Sequence, residues 1–301
     1  MDGLDQQVRD HDFRGHGSPK ITPQNRGGVV YAALEKTTNN MRLLKEHARV
    51  WFRQVSPAYR TKQKHHAELA YWQSGLQNLK EWFLDGATLR VGLPPPSDEQ
   101  RQNVSDSWIV NAVMTIHALR PHYTERLRIG RDHFRGQRVL EVGCGPLAPI
   151  LQFLDCERHC VDPLIKVYMD AGWPLYEYDA KFINTGGESM PYRDGYFDSV
   201  ISVNALDHVD DFEQTAREME RVVKPGGSLC FEVEYHEPSV TEPIQLDEAR
   251  VRRAFSRCEL TPVINRKGRE LYEALLSRFD LLPFDFQHFD GRFCTWRGTR
   301  K

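Results

Sequence analysis

The run Arg138-Val139-Leu140-Glu141-Val142-Gly143-Cys144-Gly145-Pro146 constrains this chain more than any other stretch. Apolar residues lead into an acid and then Gly-x-Gly. That pattern predicts a buried strand closed by a tight glycine turn, with a helix beginning near Leu147. Glycine lets the backbone approach a ligand without a Cβ in the way. Unpaired N–H groups at a helix start favour carboxylates and lone pairs. The stretch therefore points to a nucleotide-like cofactor at the carboxyl end of a strand.

A nicotinamide or flavin fingerprint is Gly-x-Gly-x-x-Gly, whose third glycine lets the helix pack closely beside the pyrophosphate. Here Ala148 takes that place. Alanine occurs there in some dinucleotide enzymes, so the rest of the chain decides. Arg158-His159-Cys160-Val161-Asp162 reads as a second strand ending in an acid, 21 residues after Glu141. A carboxylate at that tip can accept both hydroxyls of a ribose. Gly187-Glu188-Ser189-Met190-Pro191-Tyr192, then Phe197 to Asn204, then Arg221 to Leu229 follow in order.

Together these segments resemble the four motifs of class I S-adenosylmethionine (SAM) methyltransferases, of the type 11 kind, including those acting on small molecules and glycan precursors. The resemblance covers residues 135–237. It implies a SAM site built from Glu141, Gly143, Gly145, Asp162 and Asn204. The family's adenine loop often carries an acid where this chain has Gly186, and Glu188 is the substitute candidate. The implied fold is α/β, a doubly wound, mostly parallel, seven-stranded Rossmann-like sheet behind an N-terminal helical extension.

Periodicity agrees with that organisation. Residues 1–28 are polar and glycine-dotted and read as a flexible tail. Residues 29–130 carry a helical period, with Leu69, Trp72, Leu76, Leu79 and Phe83 on one face and Ile109, Val113 and Ile116 on another. Ser97 is placed to cap a helix after Pro94-Pro95-Pro96. This block is a candidate lid, with Tyr71, Trp72 and Tyr123 as apolar walls. The cofactor domain occupies 131–301. Its strands are predicted at 138–143, 158–162, 175–178, 197–203 and 228–235. Asp210 is placed to cap a helix whose apolar face is Phe212, Ala216, Met219 and Val223. Residues 284–289 and 292–296 around Asp290-Gly291 predict a terminal hairpin.

The formal charge of −2 on 301 residues gives no basic face for nucleic acid. No apolar run is long enough to span a membrane. Six scattered cysteines without Cys-x-x-Cys fit a reduced, cytoplasmic protein. Cys156 and Cys160 fall on an alternating strand beside His159, which spreads their side chains over two faces, and no metal site is expected in the chain.

Methyl transfer from a sulfonium mainly requires alignment, and a base only when the acceptor is protonated. His208, just past the fourth strand, is the first candidate base, and His236, just past the fifth, is the second. The reading is a SAM-dependent methyltransferase acting on a small polar acceptor at oxygen. Two alternatives stay open: a SAM-binding protein without transferase activity, working through its helical extension, and a nicotinamide reductase.

Overall fold

Along the first strand, β1 (Arg138–Val142), Val139 and Leu140 point to opposite faces, so both faces need a hydrophobic cover. The computed structural model describes residues 57–84, 97–102, 104–119, 121–278 and 291–301. Within it β1 is central to a seven-stranded sheet of order β3-β2-β1-β4-β5-β7-β6. The other strands are β2 (Glu157–Asp162), β3 (Lys181–Asn184), β4 (Phe197–Val203), β5 (Val223–Tyr235), β6 (Cys258–Lys267) and β7 (Arg292–Arg300). Strands β1 to β5 pair in parallel, whereas β7 runs antiparallel between β5 and β6. This is the doubly wound, mostly parallel sheet that the sequence predicts.

The helices are α1 (Pro57–Leu84), α2 (Asp98–Gln102), α3 (Asp106–Leu119), α4 (His122–Leu127), α5 (Ile165–Asp170), α6 (Phe212–Val222), α7 (Glu248–Ala254) and α8 (Gly268–Arg278). One face of the sheet, through Val139, Cys160, Ile201 and Cys230, packs against Leu76 and Leu79 of α1 and Ile109, Val113 and Ile116 of α3. The other face, through Leu140, Val200, Leu229 and Phe231, packs against Phe212, Ala216 and Met219 of α6. The helices before β1 thus share a core with the sheet, and Pro57–Lys301 forms one compact unit. Ser97 caps α2 in a reciprocal box: its Oγ accepts from Gln100 N at 3.2 Å, and Gln100 Oε1 accepts from Ser97 N at 2.9 Å.

Three local expectations need correction. No α-helix starts at Leu147; a single 3₁₀ turn, Pro149–Gln152, follows β1. Pro149 disfavours the α region for the residue before it, and Ala148 lies at φ 43°. The third strand is not 175–178. Pro174 opens a 3₁₀ turn over Leu175–Glu177, and the strand comes at Lys181–Asn184, an edge strand exposed at both ends. The cap of α6 is Asp211, which accepts from Gln214 N at 2.9 Å, because Asp210 is engaged by Lys64 and Thr61. Strand β7 pairs with β5 and β6; residues 1–28 and the predicted arm 284–289 lie outside the described residues.

Candidate functional site

The carboxyl ends of β1, β2 and β4 open into a cavity of about 710 Å³, roofed by α1. That volume falls within the range of small-molecule sites. Gly143, Gly145, Asp162, Glu188, Asn204 and His208 line it; Glu141 and His236 do not.

The turn after β1 is shaped by backbone conformation. Gly143 has φ 74°, and a Cβ there would stand 2.3 Å from the Cβ of Ala205. Gly145 has φ 55°, and a Cβ there would meet the indole of Trp72 at 3.1 Å. Both glycines are demanded by close packing as well as by left-handed backbone. Glu141 lies fully buried behind the turn, where its Oε2 accepts from Ile150 N at 3.0 Å. The one N–H that the 3₁₀ turn offers is therefore taken by the protein's own acid. Burial pushes the Glu141 carboxyl up to about 8, with Asp162 nearby adding to the shift.

Asp162, at the tip of β2, holds the turn from the cavity side. Its Oδ2 accepts from Gly145 N at 3.0 Å and its Oδ1 from Leu164 N at 2.9 Å. Burial raises its carboxyl to about 6, against the pull of those two N–H groups. Each oxygen retains a lone pair for a ribose hydroxyl. Asn204 sits in left-handed backbone at φ 53°, a conformation Asn tolerates, and its buried Oδ1 accepts no hydrogen bond among the described residues. Glu188 Oε1 accepts from Asp210 N at 2.7 Å and from Asp211 N at 3.2 Å, tying the loop after β3 to the start of α6. A glycine cradle, a carboxylate at the adjacent strand tip and an unsatisfied amide oxygen together suit a nucleoside with an amino-acid tail.

The far end of the cavity is a dense polar cluster that joins distant parts of the chain. Lys64 of α1 donates to His208 O at 2.6 Å and pairs with Asp210. Glu68, one turn along, faces His208 Nδ1 at 3.3 Å. On the other side of the ring, His208 Nε2 lies 3.6 Å from Glu242 Oε1 and 4.0 Å from Asp207 Oδ1. Burial opposes charge on His208, yet Asp207, Glu68 and Glu242 together raise it to about 9. His236 reaches Asp207 Oδ2 through Nε2 at 2.9 Å and Glu237 O through Nδ1 at 2.7 Å, so it braces Asp207 from behind. The two histidines thus meet through Asp207 but only His208 reaches the cavity.

Sequence reasoning missed Lys64, Glu242 and the meeting of Asp207 with both histidines. Glu242 sits in an irregular stretch with no periodicity, and Lys64 was one cation among many. Only the spacing of Lys64 and Glu68, four residues apart on a helix, hinted at a shared face.

Residues 140–231 match the family model described as a methyltransferase domain. The chain is 32% identical over 108 residues to the ubiquinone/menaquinone biosynthesis C-methyltransferase UbiE of Hahella chejuensis, covering 36% of this chain and 42% of that protein. It is 29% identical over 119 residues to the O-methyltransferase rstn1 of Aspergillus nomiae, covering 36% of this chain and 53% of that protein. The chain thus spans about half or less of the length of these relatives. Among solved structures, the YcgJ protein of Bacillus subtilis aligns over 60% of this chain and 99% of its own, at 17% identity and a TM-score of 0.46.

Proposed function

We propose, on the premise that residues 140–231 are a class I SAM-dependent methyltransferase domain, that this protein transfers a methyl group from SAM to a small polar acceptor, at oxygen. The observation that carries the proposal is the cavity at the carboxyl ends of β1, β2 and β4, where the Gly143–Gly145 turn and Asp162 come together. In open α/β sheets ligands bind in such crevices. Gly143, Gly145, Asp162, Asn204 and Glu188 are assigned to the cofactor, and Glu141 acts on it only by holding the turn.

The acceptor side is lined by Lys64, His65, Glu68, His122, Arg126 and Glu242, which suits a polar molecule. The oxygen assignment takes support from the name of the Aspergillus relative and from this lining. A hydroxyl acceptor must lose its proton as it attacks. Of the two candidate bases, His208 is the one at the cavity wall, with His236 one residue removed behind Asp207. Its three carboxylate neighbours hold His208 cationic near neutrality, so it accepts a proton only after that charge has been relieved.

The reaction is tested by incubating the protein with SAM labelled in its methyl group and a metabolite extract, followed by mass detection. The expected result is one labelled product formed in step with S-adenosylhomocysteine. SAM binding without any turnover across several extracts would favour a binding protein over an enzyme.

A further inference from the structure

The polar cluster at the end of the cavity is built like a metal site. We propose that Asp207, His208 and Glu242 bind a divalent cation of the manganese or zinc class at the wall of the acceptor cavity. The argument starts from geometry. One ligand atom from each of the three residues lies within 4.8 Å of the others, with His208 Nε2 at 3.6 Å from Glu242 Oε1 and 4.0 Å from Asp207 Oδ1. Bonds of about 2.0–2.2 Å to nitrogen and oxygen place ligand atoms roughly 3–4 Å apart around one ion. One imidazole with two carboxylates is a donor set for such cations.

Two of the three atoms that would bind, on Asp207 and His208, are ones the protein leaves unsatisfied. Asp207 is fully buried, and its Oδ1 has no hydrogen-bond partner among the described residues; the same holds for His208 Nε2. The opposite atoms are all held. Asp207 Oδ2 takes His236 Nε2 at 2.9 Å, and His208 Nδ1 faces Glu68 Oε2 at 3.3 Å. Glu242 is turned by Ser239, whose Oγ accepts from Glu242 N at 3.0 Å and reaches Oε2 at 3.4 Å. A ligating histidine ordinarily gives its other ring N–H to a carboxylate, which fixes its tautomer and orientation. Glu68 occupies that place, although it lies 140 residues away in the chain.

Charge favours the same occupant. Two carboxylates neutralise a doubly charged ion in a buried setting, which otherwise must share them with an imidazolium. His208 and Glu242 line the cavity while Asp207 lies beneath, so a cation held among them would keep coordination positions open toward an entering acceptor. An acceptor hydroxyl bound there would become more acidic, and His208, with Nε2 on the ion, would then hold the ion in place of taking the proton itself. That catalytic consequence rests on the methyltransferase reading; the binding itself does not.

The test uses the full chain, treated with a chelator and dialysed, without SAM or acceptor. Titration with Mn²⁺, followed by loss of the free-ion paramagnetic signal, is expected to show one saturable site per chain. Asp207→Asn and Glu242→Gln should each weaken it at least tenfold, and Glu68→Gln by about 10–100-fold. With Co²⁺ in place of Mn²⁺, visible ligand-field absorption should appear in the parent and be shifted and weakened in His208→Gln. Should Asp207→Asn fail to fold, Glu242→Gln at the cavity wall decides alone. No saturable binding of either ion, or binding unchanged in Glu242→Gln and His208→Gln, would overturn the proposal whatever the fate of the transferase assay.

Discussion

Asp162 already accepts two backbone N–H groups before any ligand arrives, and this gives it two jobs. It fixes the glycine turn, and it presents its remaining lone pairs to the cavity. Hydrogen bonds to a charged acceptor contribute roughly 1.5–3 kcal/mol each, so Asp162→Ala should weaken SAM binding by about tenfold or more, read by calorimetry. The site favours the ionised carboxylate, and burial has raised it to about 6. Below that value a proton must be lost for SAM to bind, so affinity should fall as pH is lowered through about 6 and level off above it. An affinity that stays flat between pH 5 and 7.5 in the folded protein would remove Asp162 from the cofactor. At the acceptor end, His208→Gln should lower turnover by about 10²-fold or more while SAM affinity stays within a few-fold. Turnover within threefold of the parent would shift the catalytic assignment away from that imidazole.

Between elements, the decisive contact is α1 against the glycine turn. Trp72 packs edge-on against Tyr71, Tyr168 and Trp173 and meets Gly145, so the roof of the cavity and its floor are fitted to one another. Gly145→Ala brings both left-handed strain and a clash with the indole, and should cost about 1–3 kcal/mol in chemical denaturation. Trp72→Phe shortens the side chain facing that Cβ, so the double variant should recover part of the loss; strictly additive effects would show that the contact is not shared. The strands of the parallel sheet were legible because β1, β2 and β4 are buried, strongly periodic and end in turn residues. Strand β3 was not, since Lys181-Phe182-Ile183-Asn184 is short and exposed at both ends. The missing helix after β1 was decided by Pro149, whose effect on Ala148 outweighs the apolar period around it. Gly143, Gly145, Asp162 and Asn204 were legible through the order of the family-like motifs, and they line the cavity. The cluster around His208 was not, because Glu68, Asp207, His236 and Glu242 are joined only by tertiary packing.

For the whole molecule, the helices before β1 replace cover that the chain lacks after it. A single 3₁₀ turn cannot bury Val139 and Ile201; α1 and α3 do so with Leu76, Leu79, Ile109, Val113 and Ile116. A fragment beginning at residue 130 should therefore fail to unfold cooperatively, and a sharp thermal transition in it would contradict this core. His117 locks the same interface. Its Nε2 reaches Leu147 O at 2.8 Å, and Gln152 Nε2 reaches its Nδ1 at 3.0 Å, so α3 holds the glycine turn through a neutral ring. Burial lowers His117 to about 4, while the unfolded chain keeps a value near 6.5. Between those values the unfolded state binds the extra proton, so stability is full above pH 6.5 and declines as pH falls toward 4. The loss is on the order of 3 kcal/mol, and His117→Gln should flatten that part of the pH–stability curve. Among the described residues no helix is long and apolar enough to cross a membrane. The most direct test of the central claim is calorimetric titration of the full chain and of folded Asp162→Ala with SAM and with a nicotinamide dinucleotide. A single saturable SAM site that is weakened at least tenfold in Asp162→Ala, with no heat from the dinucleotide, is the predicted result. Undetectable SAM binding, or equal binding by both proteins, would contradict it.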